Sequence, residues 1–271
     1  MIDKKRIDEF LNYWFTIIKL YLRIKTYELF RWIAQPSGKS RHKFSQKIAI
    51  LGDEFALGFG DKLRLGVTPG IGQAIHNEMA RDNRIKQNWS IFNLGVYGST
   101  TRDWLPVEST KGVPNHPHLL ESQLLSNPKL TGCKIIGIMV GFNDYRASPE
   151  LSPEVTLENI KLITKHLSEL GFIVYLFTIP SAFSANSSQN NNLQRSQLLK
   201  EFILCGEVPN LHLGVEIDES NYEFKRRTLY VTGTSYFNST GYTRIAKDWF
   251  QMVVPDMVKQ EFSLFRSHLG Y

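Results

Sequence analysis

The sequence predicts an α/β protein in three layers, a central parallel sheet with helices on both faces, plus an N-terminal amphipathic helix. Short apolar or β-branched runs recur at positions 47–51, 90–94, 134–140, 172–178 and 211–215. Stretches with apolar residues at three- and four-residue spacing separate them. Strand alternating with helix is the pattern of a parallel sheet, because each connection must cross over a face. The run Ile135-Ile136-Gly137-Ile138-Met139-Val140 is apolar without a break, as a strand buried on both faces requires.

The elements follow in order. The first strand, 47–51, runs into Gly52-Asp53; helices are expected at 71–81, 153–170 and 191–204, and a last one opens at Gly241-Tyr242. A length of 271 residues with 42% hydrophobic content supports one sizeable core and an extension. The division expected is a basic helical extension and linker over 1–45, an α/β domain over 46–254 and a C-terminal tail over 255–271. Phe262, Leu264, Phe265 and Leu269 give that tail an apolar side, expected to pack against the N-terminal helix. No internal repeat is present. The stretch 184–192, rich in Ser, Asn and Gln, reads as a solvated connector. Cys133 and Cys205 are the only cysteines, both beside apolar runs and without zinc or redox spacing. Two buried, reduced thiols in a cytoplasmic setting are expected.

Four short blocks carry the chemistry. The first is Gly52-Asp53-Glu54 at the end of the first strand. The second is Asn93-Leu94-Gly95-Val96-Tyr97-Gly98-Ser99-Thr100-Thr101, the third Gly141-Phe142-Asn143-Asp144. The fourth is the run Thr232-Gly233-Thr234-Ser235-Tyr236-Phe237-Asn238 just before Gly241-Tyr242. Glu54, Gly98 and Asn143 all fall beyond strand ends, where ligands bind in open parallel sheets.

In their order and placement these blocks resemble those of the SGNH (GDSL) hydrolases, esterases and acyl hydrolases, over about residues 46–254. The resemblance implies a flavodoxin-like fold and a serine nucleophile where Glu54 stands. It implies an oxyanion hole made by the Gly98 N–H and the Asn143 side-chain amide. A side chain at Gly98 is expected to fill the pocket, hence the glycine. The family's aspartate and histidine fall at Gly233 and Tyr236; a one-residue slip offers Thr232 and Ser235 instead, and neither register supplies a general base.

All three triad positions therefore differ from the family pattern. Losing the nucleophile or its histidine costs a serine hydrolase about 10⁶ in turnover, and an oxyanion hole alone retains only about 10³–10⁴ over water. The expectation is a hydrolase scaffold without serine esterase activity, a pseudoenzyme or a binding module for a small acyl, glycan or lipid ligand. No cofactor and no metal are expected. Glu54 is expected to lie in the hole, accepting from Gly98 and Asn143, which would favour its ionised form. The alternative is ester hydrolysis through a rearranged carboxylate site that uses Glu54, with Asp53 and Asp144 as its further candidates. Ser99 is a remote candidate for a displaced nucleophile. Tyr236 either lines the pocket or packs as an aromatic. His76, His116, His118, His166, His212 and His268 lie outside the blocks.

The extension is unusual. Residues 1–47 hold eleven Lys and Arg against four Asp and Glu, more than the whole chain's net charge of +6. Basicity therefore belongs to this segment. Phe10, Leu11, Trp14, Ile17, Ile18, Tyr21, Leu22 and Trp32 cover most of a helix over 3–33, while Asn12, Thr16, Lys19, Arg23 and Thr26 form a narrow polar stripe. Lys19, Arg23 and Lys25 exclude a membrane span, and early acidic residues exclude a secretion signal. Two readings stand. Residues 7–33 lie in a membrane surface at the inner face, with Lys39, Arg41 and Lys43 adding attraction to anionic lipid. Or the helix packs on the domain or on its twin in a homodimer. Pro36-Ser37-Gly38-Lys39-Ser40 reads as a linker. Nucleic-acid binding is the weaker use, because the basic residues alternate with bulky apolar ones.

Overall fold

The computed structural model describes residues 4–36, 44–111, 113, 116–181 and 191–270. Helix α1 spans Lys4–Ala34 and precedes strand β1, Ser45–Gly52. Then come the one-turn helix α2, Glu54–Leu57, helix α3, Ile71–Arg81, and strands β2, Asn88–Asn93, and β3, Ile135–Met139. Helix α4, Pro153–Glu169, strand β4, Ile173–Leu176, helix α5, Asn192–Cys205, and strand β5, Leu211–Leu213, follow. Helix α6, Ser239–Leu269, closes the chain.

The five strands form one parallel sheet in the order β2-β1-β3-β4-β5. β1 lies between β2 and β3, with Ile48 opposite Ile91 in β2 and Ile135 in β3. Helix α3 packs on α6, and α4 on α5, giving the three-layer α/β/α sandwich. Every residue of β3 is buried, and Gly137 there lies against the indole of Trp249 from α6. Because strand order reverses between β1 and β3, the loops after β1, β2 and β3 converge on one rim, the place where such sheets bind ligands.

Three expectations change. The segment 255–271 is not a separate tail, for α6 runs unbroken through Pro255 to Leu269. Its last turns do not seek α1 either. Glu261 accepts from the backbone N–H groups of Lys86 and Gln87, both at 2.9 Å, and from the Trp89 indole at 2.8 Å, while Phe265 and His268 pack on Phe44. These bonds pin the helix to the entry of β2, because a buried carboxylate must find donors. Finally, only Cys133 is buried, its thiol pushed up to about 12 by burial; Cys205, the last residue of α5, is exposed.

The C-terminal part of α1 docks on the rim. Tyr27 is 3% exposed; its hydroxyl accepts from the Gly60 N–H at 3.1 Å and donates to the Asp61 carbonyl. Arg31 donates to the Gly95 carbonyl, and the Gln35 amide to the Asn93 carbonyl at 3.0 Å. These partners are orphan backbone groups at the ends of loops, so the helix finds polar anchors where the sheet leaves groups unpaired. The packing alternative therefore holds for this part of α1, while its outer side remains apolar and exposed. The predicted linker beyond Pro36, the basic residues 39–43 and most of the polar stretch 184–192 lie outside the described residues.

Candidate functional site at the sheet rim

Gly52 ends β1 with φ +141°, and a Cβ there would lie 1.8 Å from the Met139 carbonyl oxygen of β3. Only glycine lets the two strands stay this close while the chain turns. The next N–H, from Asp53, donates to that same carbonyl at 2.9 Å. Asp53 then caps α2: one carboxylate oxygen accepts from the Phe55 N–H at 3.0 Å, the other from the Phe142 N–H at 3.1 Å. One carboxylate thus joins the loops after β1 and β3. Burial, then the neighbouring Glu54 charge, pushes its pKa well above the carboxylate range.

Glu54 is the first residue of α2 and is 0% exposed. Its Oε2 accepts from the Asn143 side-chain amide at 2.6 Å and from the Gly98 N–H at 3.1 Å. The loops after β1, β2 and β3 therefore meet at one oxygen. Its Oε1 is buried without a hydrogen-bond partner. Burial dominates the titration and raises the pKa of Glu54, outweighing the lowering influence of Asn143, Gly98 and Arg146. This corrects the expectation that the two donors favour the ionised form: they are present, but desolvation is the larger effect.

Gly98 also differs from expectation in its reason. Its φ is +75°, a backbone state that favours glycine, whereas a Cβ there would meet nothing within 4 Å. Conformation, not pocket space, requires the glycine. Asn143 is buried and also donates to the Ser99 carbonyl at 3.2 Å, which fixes its amide toward Glu54.

The two remaining predicted positions part company. Gly233 is exposed on the turn before α6, and a side chain built on it would enter open space. Tyr236 turns inward onto Phe55, Phe59 and Phe142, with ring centroids 5.8, 4.9 and 6.4 Å away. Its hydroxyl lies 3.5 Å from that of Tyr97. Burial, then the Glu54 charge, raises the Tyr236 pKa, so it stays a neutral phenol.

Other candidate groups are committed elsewhere. Asp144 accepts from the Thr101 N–H at 2.9 Å and from the Thr101 and Thr156 hydroxyls, each at 2.6 Å, tying the loop after β3 to α4. Ser99 donates to the Gly52 carbonyl at 3.2 Å and accepts from the Trp104 indole at 3.0 Å. His116 and His118 contact each other, and His116 reaches the Arg102 carbonyl at 2.8 Å. Among the described residues Asp53, Glu54 and Asp144 do not gather with others into a metal-binding group.

Sequence reasoning missed three residues. Tyr97, inside the second block, and Arg146, two beyond Asp144, flank Tyr236, and Arg146 is within electrostatic reach of Glu54, Tyr97 and Tyr236. Arg23 of α1 stacks 4.6 Å from the Phe59 centroid. Arg146 and Tyr97 stood in or beside recognised blocks; Arg23 had no such signal, since its placement depends on how α1 docks.

No protein-family model and no curated protein sequence matches this chain. Solved structures do. A lipase/acylhydrolase from Enterococcus faecalis aligns with a TM-score of 0.57 and 16% identity, over 78% of this chain and 96% of that one. A variant of an acetyl xylan esterase from Geobacillus stearothermophilus gives 0.54 and 15%, over 77% and 94%. A G-D-S-L family protein from Desulfitobacterium hafniense gives 0.53 and 15%, over 76% and 98%. The chain therefore has the fold of these hydrolases and resembles the SGNH/GDSL family.

Proposed function

We propose that this chain is a disarmed acyl hydrolase: an SGNH-type scaffold without serine esterase activity that binds a small acyl, glycan or lipid ligand beside a membrane surface. The observation that carries the reading is Glu54. Its carboxylate sits where the resemblance puts the nucleophile and engages both donors that the resemblance gives to the oxyanion hole. A transition-state oxyanion needs those donors free, and among the described residues no imidazole is hydrogen-bonded to Glu54, Gly98, Asn143 or Tyr236. Asp53 and Asp144, the partners a carboxylate mechanism would need, are saturated with backbone and hydroxyl donors.

The membrane part rests on α1. Phe15 and Trp32 are each 70% exposed, Ile18, Leu22 and Leu29 are exposed between them, and so is Tyr13 just before. No described helix is long and apolar enough to cross a membrane, so such a helix fits one lying in the interface at the inner surface.

The test is hydrolysis of p-nitrophenyl acetate by the native protein, by Glu54→Ala and by the double variant Glu54→Ser, Tyr236→His. A silent native protein and a gain of turnover in the double variant support the proposal. Turnover by the native protein that Glu54→Ala abolishes overturns it and makes Glu54 catalytic.

A further inference from the structure

Two guanidinium groups lie on the aromatic cluster beside the site. Arg23, from α1, stacks 4.6 Å from the Phe59 centroid. Arg146, from the loop after β3, lies 5.5 Å from the Phe142 centroid and 4.9 Å from that of Tyr145. Between them stand Tyr97 and Tyr236: Tyr97 packs on Phe59 at 4.9 Å, Tyr236 on Phe59 and Phe142, and their hydroxyls are 3.5 Å apart. Both arginines act electrostatically on the Tyr97 hydroxyl. Among the described residues neither arginine forms an ion pair, although the surface elsewhere pairs Arg84 with Asp82 and Arg244 with Asp248. The acidic group that Arg146 senses, Glu54, is fully buried and engaged by Gly98 and Asn143. Beside the pair, Gly98 is exposed and opens onto free space.

From this geometry we propose that Arg23 and Arg146, with the Tyr97 and Tyr236 hydroxyls between them, form a binding site for a phosphate group. The inference deepens the ligand-binding reading above and rests on it. Guanidinium is the side chain whose planar fork matches phosphate oxygens in pairs. Stacking on aromatic rings holds each fork in place before a ligand arrives, so little ordering entropy is lost on binding. A tetrahedral anion presents acceptors in several directions, which suits donors converging from α1, the loop after β2, the loop after β3 and the turn before α6. The site exists only because α1 is docked, so the extension would supply half of its charge. The phosphate comes from a lipid headgroup or from a free phosphate compound; the same donors would hold either.

The test titrates inorganic phosphate into the full-length protein at constant ionic strength and follows the melting temperature, with potassium chloride as the control. Native protein gains thermal stability with phosphate and not with chloride. Arg23→Gln and Arg146→Gln each weaken the apparent affinity at least about tenfold, the loss expected of one charge-assisted contact. Arg146→Lys keeps the charge but not the fork and falls between. Flotation with vesicles of phosphatidylcholine alone and with added phosphatidic acid separates the sources. Arginine-dependent capture by phosphatidic acid that inorganic phosphate displaces assigns a headgroup; displacement of phosphate by soluble phosphomonoesters without vesicle capture assigns a free ligand. Equal responses to phosphate and chloride, or variants that bind phosphate as the native protein does, overturn the proposal. That result would leave the esterase assay, and the disarmed-hydrolase reading it tests, untouched.

Discussion

The Asn143 side-chain amide donates to the Glu54 carboxylate at 2.6 Å and, with the Gly98 and Phe142 N–H bonds, ties the loops after β1, β2 and β3 together. A permanent side chain thus occupies a donor that the family resemblance reserves for a transient charge. The contact is buried on both sides, and Glu54 Oε1 is left without a partner.

That burial sets a pH dependence. Burial raises Glu54 and Asp53 above their ordinary values of 4.5 and 3.8. An acid with a raised native pKa binds its proton more tightly when folded, so its contribution to stability is full below the ordinary value and is lost as pH rises through the native one. The native melting temperature should fall as pH climbs above the ordinary carboxylate range, and Glu54→Gln, which cannot titrate, should fall less. The gap between the two melting curves should widen with pH in favour of the glutamine. Curves that stay parallel would contradict the assigned direction.

Gly52→Ala should destabilise the fold by about 3 kcal/mol or more, since strain at φ +141° adds to a clash with the Met139 carbonyl. Gly98→Ala, with its conformational strain but open space around the new methyl, should cost only about 1–2 kcal/mol. Denaturant melts of the two variants check the ranking. A reversed order would show that pocket space, not backbone conformation, governs Gly98.

Asp144→Ala removes the acceptor of three donors, the Thr101 N–H and the Thr101 and Thr156 O–H groups, although those hydroxyls still accept from Asn159 and Arg195. The expected loss is about 3 kcal/mol, while Thr156→Val, which deletes one of those donors and an acceptor of Arg195, should lose about 1–2 kcal/mol. Equal losses in chemical denaturation would argue against Asp144 as the hub of this network.

Phe15→Glu combined with Trp32→Glu should lower binding to anionic vesicles at least about tenfold, because each ring contributes roughly 1.5–3 kcal/mol when buried in lipid. Both side chains are exposed on α1, so the circular dichroism spectrum and melting temperature should be unchanged. Native protein that ignores vesicles but sediments as a dimer, which the same substitutions dissolve, would assign the apolar face to a second copy of the chain.

Much of the fold was legible because periodicity reports burial. The apolar run through Ile135 and Met139 marks a strand covered on both faces, and helix 71–81 is found where the spacing puts it. Gly52-Asp53-Glu54 and Gly141-Phe142-Asn143-Asp144 could be read as one site because strand-end loops of a parallel sheet share a rim. Pro255 was misleading: a proline removes one helical hydrogen bond and usually ends a helix, yet tertiary anchoring of Trp249, Val253, Met257 and Glu261, spaced four apart on one face before and after the proline, carries α6 past it.

By itself the sequence determined the layered α/β architecture, the carboxylate of Glu54 at the end of the first strand and the basic, apolar character of the first helix, because these follow from residue identity and local spacing. Tertiary structure alone decided that Glu54 turns onto Gly98 and Asn143, that burial rather than hydrogen bonding governs its proton, and that Tyr236 faces inward while Gly233 faces solvent. It also decided that Arg23 and Arg146 both come within electrostatic reach of the Tyr97 hydroxyl. These are relations between residues far apart in the chain, and only long-range packing, which sets distance and dielectric together, brings them into contact.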